Sequence, residues 1–316
     1  MVKYVLKRLG YSIVTLFVLV ALTFFLQQCL PGDPFVGDKA LPETTMAALR
    51  AKYGLDKSMP EQFLIYIGNC LHGDLGLSLQ TNRPVTDTIL DSFKVSFDLG
   101  IRAIFFAFIL GVVLGTIAAI KRGKAADTIC MFIALIGVSV PSFIMASLLQ
   151  YYLGLNLGNA MRDAGMQVLF ATSDWKGWNT KILPVLALGF GSLAQISRLT
   201  RTSMLDVLGQ DYIKTARAKG LSQPAIIWRH ALRNAITPVV TVLGPITAGV
   251  LTGAFVVENI FAIPGLGKYF VTSIQVLDYT MISGTTIFYG AFLILANLVV
   301  DLVYGVIDPR VKLEEG

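Results

Sequence analysis

Six long apolar runs punctuate the chain, at about residues 9–30, 99–120, 127–153, 182–200, 237–257 and 281–304. The first is 22 residues long and reaches about 33 Å as a helix, enough to cross the hydrocarbon core of a bilayer. Lys3, Lys7 and Arg8 precede it, which invites a signal-peptide reading. The apolar part is too long for one, no small-x-small cleavage site follows, and LQQC at Cys29 lacks the small residues expected before a lipid-modified cysteine. An uncleaved anchor over 1–30 is the expectation. The second run ends at Lys121, Arg122 and Lys124. The third contains GVSVPSF, where Pro141 is expected to kink the helix or free a carbonyl. The fourth starts after Leu183–Pro184 and runs into Arg198 and Arg201, and the sixth ends in Asp308–Arg310 before a short charged tail, 306–316.

Between the first two runs lies a polar insertion, 31–98, with Pro31 and Pro34 near its start. Helical patterning over Glu43–Tyr53 and Pro60–Leu71, then the glycine-rich turn sequence HGDLGLS (His72–Ser78), predict a small helical subdomain there. Lys and Arg set the orientation. With the N-terminus inside, the inner segments hold 15 of the 26 Lys and Arg residues in about 65 residues, and the other 11 spread over about 120. Both termini and the 198–236 loop are therefore expected on the cytoplasmic side of a bacterial cell membrane.

Composition agrees. Hydrophobic residues make up 54% of the chain and charged residues 15%, with a mean hydropathy of +0.67; a soluble domain carries about 25% charge. The fold class expected is an all-α polytopic membrane protein of six spans, with a five-helix core over 99–305. The net charge of +6 does not point to nucleic acid, because the basic residues gather at span ends. A disulfide between Cys29 and Cys70 stays open as an alternative to free thiols, and Cys130 falls in a span. The two histidines, His72 and His230, lie on opposite sides of the membrane in this topology, and no HExxH or nucleophile–base pattern occurs. Gly123–Lys124 and Gly267–Lys268 lack the following Ser or Thr of a phosphate loop. Neither a metal, a cofactor nor catalysis is expected in this chain. Asp98 and Arg102 stand four apart and invite pairing, and Asp301 in the last span invites a basic partner at the inner boundary.

The loop DYIKTARAKGLSQPAIIWRHALRNAITP, 211–238, is basic and amphipathic. Asp211–Lys219 are good helix formers, Gly220 suits a helix end with positive φ, Ser222 offers a cap oxygen and Pro224 fits a second helix's first turn. In that second helix Trp228, Ala231, Leu232 and Ala235 are expected on one face, with Arg229 and Arg233 on another. From the residues alone, an amphipathic hairpin resting on anionic lipid and a docking element for a partner are both open. The string TARAKGLS…HALRNA…P resembles the cytoplasmic coupling loop of ABC-importer permeases, in the form found in their dipeptide/oligopeptide/nickel branch. LPGDPF (Leu30–Phe35), YGLDKS (Tyr53–Ser58) and HGDLGLS extend that resemblance beyond one loop, and LTFFLQQCLPGDPF (Leu22–Phe35) and YGLDKS look closer to oligopeptide than to nickel permeases. One departure stands out. The general importer pattern has Glu-Ala-Ala where this chain has Lys214, Thr215 and Ala216, which removes the basis for a glutamate-dependent contact.

The resemblance implies a type I importer permease that forms half of a translocation pathway. A second homologous permease would supply the other half, two ATP-binding subunits would bind ATP and Mg, and an extracytoplasmic peptide-binding protein would deliver substrate. It implies ATPase coupling through Thr215, Ala216, Arg217, Ala218, Lys219, Gly220, Leu221 and Ser222. VVENIFAIPGLG (Val256–Gly267) carries the family's Glu…Phe…Pro-Gly-Leu-Gly arrangement, a scoop near the extracytoplasmic mouth. Glu258, Phe261, Pro264, Gly265 and Gly267 are thus gate or path candidates, beside the reading that Glu258 only fixes the turn. Ser139, Pro141 and Ser142 are path candidates because a kinked helix with free carbonyls suits a cavity wall; small polar residues also simply pack helices. The competing reading is an autonomous channel or secondary transporter. Such a chain should show several buried ionisable groups and perhaps an internal repeat, and the sequence shows few of the former and no obvious repeat.

Overall fold

A computed structural model describes residues 2–29, 44, 51, 56–172 and 175–307, with side chains for those from 10 to 299. Every extended element among them is a helix; one isolated bridge joins Leu77 and Pro84. In order these are α1 (Val2–Gln27), α2 (Met59–Leu71), α3 (Val85–Ile120), α4 (Ala125–Ser139), α5 (Ser142–Leu149), α6 (Trp178–Leu208), α7 (Asp211–Ala218), α8 (Gln223–Ala235), α9 (Thr237–Thr252), α10 (Phe255–Ile260), α11 (Leu266–Gln275) and α12 (Tyr279–Ile307). A π-helical stretch, Gln150–Leu157, carries α5 on to Asp163. Four helices are long and apolar enough to cross a membrane, and six spans result if each of two bent pairs counts as one.

Three span boundaries differ from the apolar runs. The second helix begins at Val85, not at 99. Its first turns are amphipathic, with Val85, Ile89, Ser92 and Ser96 buried and Asp87 and Asp91 exposed. That 3.6-residue period reads as polar sequence when only apolar runs are sought. The fourth begins at Trp178, so Pro184 lies inside it rather than before it. At Pro141 the third does more than kink: α4 stops at Ser139, α5 starts at Ser142, and the two axes differ by 106°. The predicted helix at Pro60–Leu71 is α2; the one at Glu43–Tyr53 falls outside the described residues apart from 44 and 51, as does the Asp308–Arg310 tail. The side chain of Asp301 also lies outside them. Cys29, Cys70 and Cys130 are free thiols.

The chain forms two compact units. The first gathers α1, α2, the start of α3, α11 and most of α12. Phe24 of α1 meets Phe63 and Tyr66 of α2, and Phe93 of α3 meets Phe288 and Phe292 of α12. Asp278 organises its polar joint. It is buried at the N-terminus of α12, where its carboxylate accepts from the Met281 amide at 3.2 Å and from the Thr280 hydroxyl at 2.9 Å. It also accepts from the Leu79 amide at 3.1 Å and from the Ser78 hydroxyl. One carboxylate thus caps a helix and pins the HGDLGLS turn to it.

The second unit is built round α6. Lipid tails provide no hydrophobic drive between helices, so small residues that let backbones approach decide the packing. A Cβ on Gly115 of α3 would lie 2.4 Å from the Ser197 carbonyl of α6, and one on Gly111 would lie 2.8 Å from Ile196. Gly137 of α4 closes on the Phe190 carbonyl of α6 in the same way, and Gly189 of α6 closes on the Ala103 carbonyl of α3.

Three outcomes are expected. Gly115→Val forces α3 and α6 apart and costs about 1–3 kcal/mol, the usual range for overpacking. Gly249→Ala, where nothing lies within 4 Å of the new methyl, leaves stability unchanged or raised. Denaturant unfolding in detergent compares the two. Asp278→Ala removes a cap and strands buried donors, and should cost about 2–4 kcal/mol in the same assay.

Candidate coupling elbow and pathway residues

Residues 211–238 fold as a helical elbow. α7 opens with Asp211 in its first turn and ends at Ala218. The Leu221 amide then donates to the Ala216 carbonyl at 3.3 Å and the Gly220 amide to the Arg217 carbonyl at 3.0 Å, with Gly220 at φ +79°. This is the paired closure that favours glycine at its left-handed position. A Cβ at Gly220 would meet nothing within 4 Å, so glycine is there for φ and not for room within this chain.

α8 follows with Pro224 in its first turn. Ser222 stands at its cap position, yet its hydroxyl makes no capping bond; its carbonyl accepts the Ile226 amide at 3.0 Å. The expected face of α8 needs correction as well. Ile226, Ala231 and Ala235 point inward, whereas Trp228 is 59% exposed. The cause is the π-helical segment Ile226–Ala231. Its wider turn sets successive inward positions, Ile226 and Ala231, five residues apart, where an α-helix sets them three or four apart, and so rotates Trp228 out. Arg229 and Arg233 are exposed, as is Asn234, whose amide bridges to the Tyr212 hydroxyl of α7 at 2.9 Å.

A compact apolar cluster holds the elbow to the bundle. Ile213 and Ala216 of α7 and Ile226, Ala231 and Ala235 of α8 bury against Met204 of α6 and Ala119 of α3. Of the predicted coupling residues, Ala216 faces this cluster and Leu221 is half-buried against it. Thr215, Arg217, Ala218, Lys219, Gly220 and Ser222 are all exposed. The outward surface is therefore cationic and apolar in patches, above an apolar base.

Sequence reasoning missed an ion pair behind the elbow. Arg201 of α6 grips Asp127 of α4 bidentately, Nε to Oδ1 at 2.7 Å and a terminal amine to Oδ2 at 2.8 Å. The Gly123 amide adds a third donor to Asp127 at 2.9 Å. The planar guanidinium suits such a two-point grip. A buried carboxylate at the start of one span and an arginine at the end of another, on the same predicted side, were the available signal. Asp98 has more partners than the expected Arg102 (2.7 Å): Lys181 at 3.1 Å and the Trp175 indole N–H at 2.9 Å.

The path candidates divide. Pro141 and Ser142 line a cleft of about 320 Å³ with Ser192 and Gln195 of α6, two polar residues the sequence reading passed over. Ser139, at the end of α4, is exposed and is not part of that lining. Glu258 is fully buried in α10, and its carbonyl accepts the Ile263 amide at 2.8 Å across Ala262 at φ +51°. Phe261 is buried beside it and Pro264 is exposed. Gly265 and Gly267, at the start of α11, are buried in their own unit.

Comparison with known proteins identifies the family. The family described as "Binding-protein-dependent transport system inner membrane component" matches residues 111–313, and its N-terminal companion matches 1–100. The dipeptide transport system permease protein DppB of Bacillus subtilis is 45% identical over 100% of this chain and 99% of its own. The oligopeptide transport system permease protein OppB of Escherichia coli K12 is 40% identical over 99% of this chain and 100% of its own. Among solved structures, the MetNI methionine ABC transporter in inward-facing conformations shares the fold at a TM-score of 0.52 and 14% identity, over 70% of this chain and 96% of that one. Matched along nearly its whole length, and with membrane helices to suit, the chain belongs to the family of inner-membrane components of binding-protein-dependent transport systems.

Proposed function

We propose that this chain is the permease half of an ATP-driven peptide importer. Peptide released by an extracytoplasmic binding protein passes between it and a second homologous permease, while ATP and Mg²⁺ bind on two partner ATPase subunits. Both termini and the elbow face the cytoplasm in this reading, in line with the Lys and Arg distribution. The observation that carries it is the mounted elbow. Its exposed residues from Thr215 to Ser222 are backed by an apolar base on α6 and α3, a shape that passes displacement to the spans instead of folding under it. The names of the dipeptide and oligopeptide relatives support the substrate class.

The mechanism is alternating access. Closure of the ATPases moves α7 and α8. α6 follows because Met204 is buried in the elbow's own cluster, and α4 follows α6 through the Asp127–Arg201 grip. The cleft at Pro141 and Ser142 and the buried Glu258 then lie on helices that the stroke reaches, as path and gate. ATP supplies the bias: its binding on the partner subunits favours one of the two states and its hydrolysis removes that preference, and a ligand shifts an equilibrium only by such a difference.

Gly220→Arg tests the elbow. At φ +79° the substitution costs about 1–2 kcal/mol, and the open space around it lets the chain insert. In proteoliposomes with all subunits, ATP hydrolysis should no longer drive uptake; normal peptide uptake would refute the docking role. Uptake by the purified chain without ATPases would instead establish an autonomous transporter. Asp127→Ala leaves Arg201 without its two-point partner and should cost about 1–3 kcal/mol. The exchange Asp127→Arg with Arg201→Asp should recover part of the stability and part of the uptake, measured side by side.

A further inference from the structure

We propose that the cleft at the break between α4 and α5 holds a passing peptide by its main chain. The Gln195 carboxamide pairs with one peptide bond, donating to its carbonyl and accepting from its N–H. The Ser142 and Ser192 hydroxyls bond to the flanking amides. This site rests on the permease reading above and supplies the grip within its pathway.

α6 carries a polar face at hydrocarbon depth. Lys181 and Met204 are 23 residues apart on it, about 34 Å of helix. Lys181 pairs with Asp98 near one end, and Met204 is buried in the elbow's cluster near the other. Ser192 stands midway between them and Gln195 three residues further on, well inside a length that matches the hydrocarbon core. Between Lys181 and Arg198, the residues of α6 that stand exposed are Gly191 and Gln195. Arg198 and Thr202 are exposed too, and 191, 195, 198 and 202 fall on one helical face. A face turned to lipid is apolar, whereas polar residues at this depth face a bundle interior or a water-filled cavity. The Gln195 carboxamide has no hydrogen-bond partner among the described residues, nor have the Ser142 and Ser192 hydroxyls. Left so in hydrocarbon, an amide is costly.

The cleft's chemistry suits a main chain. None of the described residues lining it is charged, so it presents no counter-charge for a peptide terminus, a charged side chain or a metal ion. A carboxamide carries donors and an acceptor in one plane, the complement of what a peptide bond presents. Pro141 leaves a further acceptor: it has no N–H to return to the Gly137 carbonyl. A Cβ on Gly191 would lie 3.4 Å from that oxygen, and both glycines line the cleft, so the oxygen borders it. With Ala187 they keep part of the wall free of bulk, which lets a second backbone approach. The volume of about 320 Å³ is at the lower end of ligand sites and suits a short stretch of chain. Contacts made to amides alone are shared by every peptide sequence.

The test uses proteoliposomes that hold this chain with its second permease and both ATPases, supplied with ATP and loaded binding protein. Uptake of tetra-alanine, tetra-lysine and tetra-glutamate by each variant is taken as a ratio to the wild type, which cancels the binding protein's own preferences. Gln195→Leu should lower all three ratios about tenfold, the effect of losing a pair of hydrogen bonds. Gln195→Asn, which keeps the carboxamide on a shorter stem, should lose less. Both variants should unfold in detergent at the wild-type temperature, since the side chain is exposed. A photocrosslinker at position 195 should capture radiolabelled tetra-alanine during turnover. Unchanged uptake by Gln195→Leu, a loss confined to one of the three peptides, or a crosslinker that captures only lipid or the second permease would overturn the site while leaving the permease reading intact. A wild-type complex that takes up none of the peptides with ATP would overturn both.

Discussion

Backbone-to-backbone approach along α6 is the constraint on which the second unit rests. In water, apolar faces would bring these helices together. In a bilayer the surrounding chains are as apolar as the helices, and association depends on close packing and on polar contacts. Gly111 and Gly115 of α3, Gly137 of α4 and Gly189 of α6 sit where a methyl group would collide with carbonyl oxygens or side chains of the neighbouring helix. These contacts occur on both sides of α6, so that helix is clamped along its length.

The described ion pairs of this clamp lie at its ends. Asp98 gathers Arg102, Lys181 and Trp175 at one end, and Asp127 takes Arg201 and the Gly123 amide at the other. Carboxylates near the middle of a span would be costly, whereas at the ends cations and backbone donors are close at hand. The placement also ties separate spans together where force would enter or leave. The elbow adds an apolar anchor at the second of these ends, so α3 and α6 share one base. In the first unit the same economy recurs, with Asp278 capping α12 and holding the turn at Ser78.

The elbow thus separates into a mounting and a surface. Ile213, Ala216, Ile226 and Ala231 are buried and fix position, while Arg217, Lys219, Trp228 and Arg229 are turned outward. The π-helical turn in α8 is the device that separates them. It shifts the inward register to Ile226 and leaves Trp228 and its basic neighbours at the surface, the composition that partner-binding surfaces favour.

Much of this was legible in the chain itself. Apolar runs long enough for a bilayer, cations at their ends, Gly220 at the close of α7 and Pro224 at the start of α8 are local properties, and local properties are written in consecutive residues. The elbow's family signature was legible for the same reason, since it is one unbroken string. Tertiary structure alone decided the rest. That α3 begins at Val85 depends on which face of an amphipathic stretch finds a neighbour. The π turn that exposes Trp228 depends on how α8 must fit against Met204 and Ala119. The 74 residues between Asp127 and Arg201 collapse to hydrogen-bond distance only once α4 and α6 are packed. Hydrophobic length and turn chemistry are set residue by residue, but register and pairing are set by what the opposing helix presents.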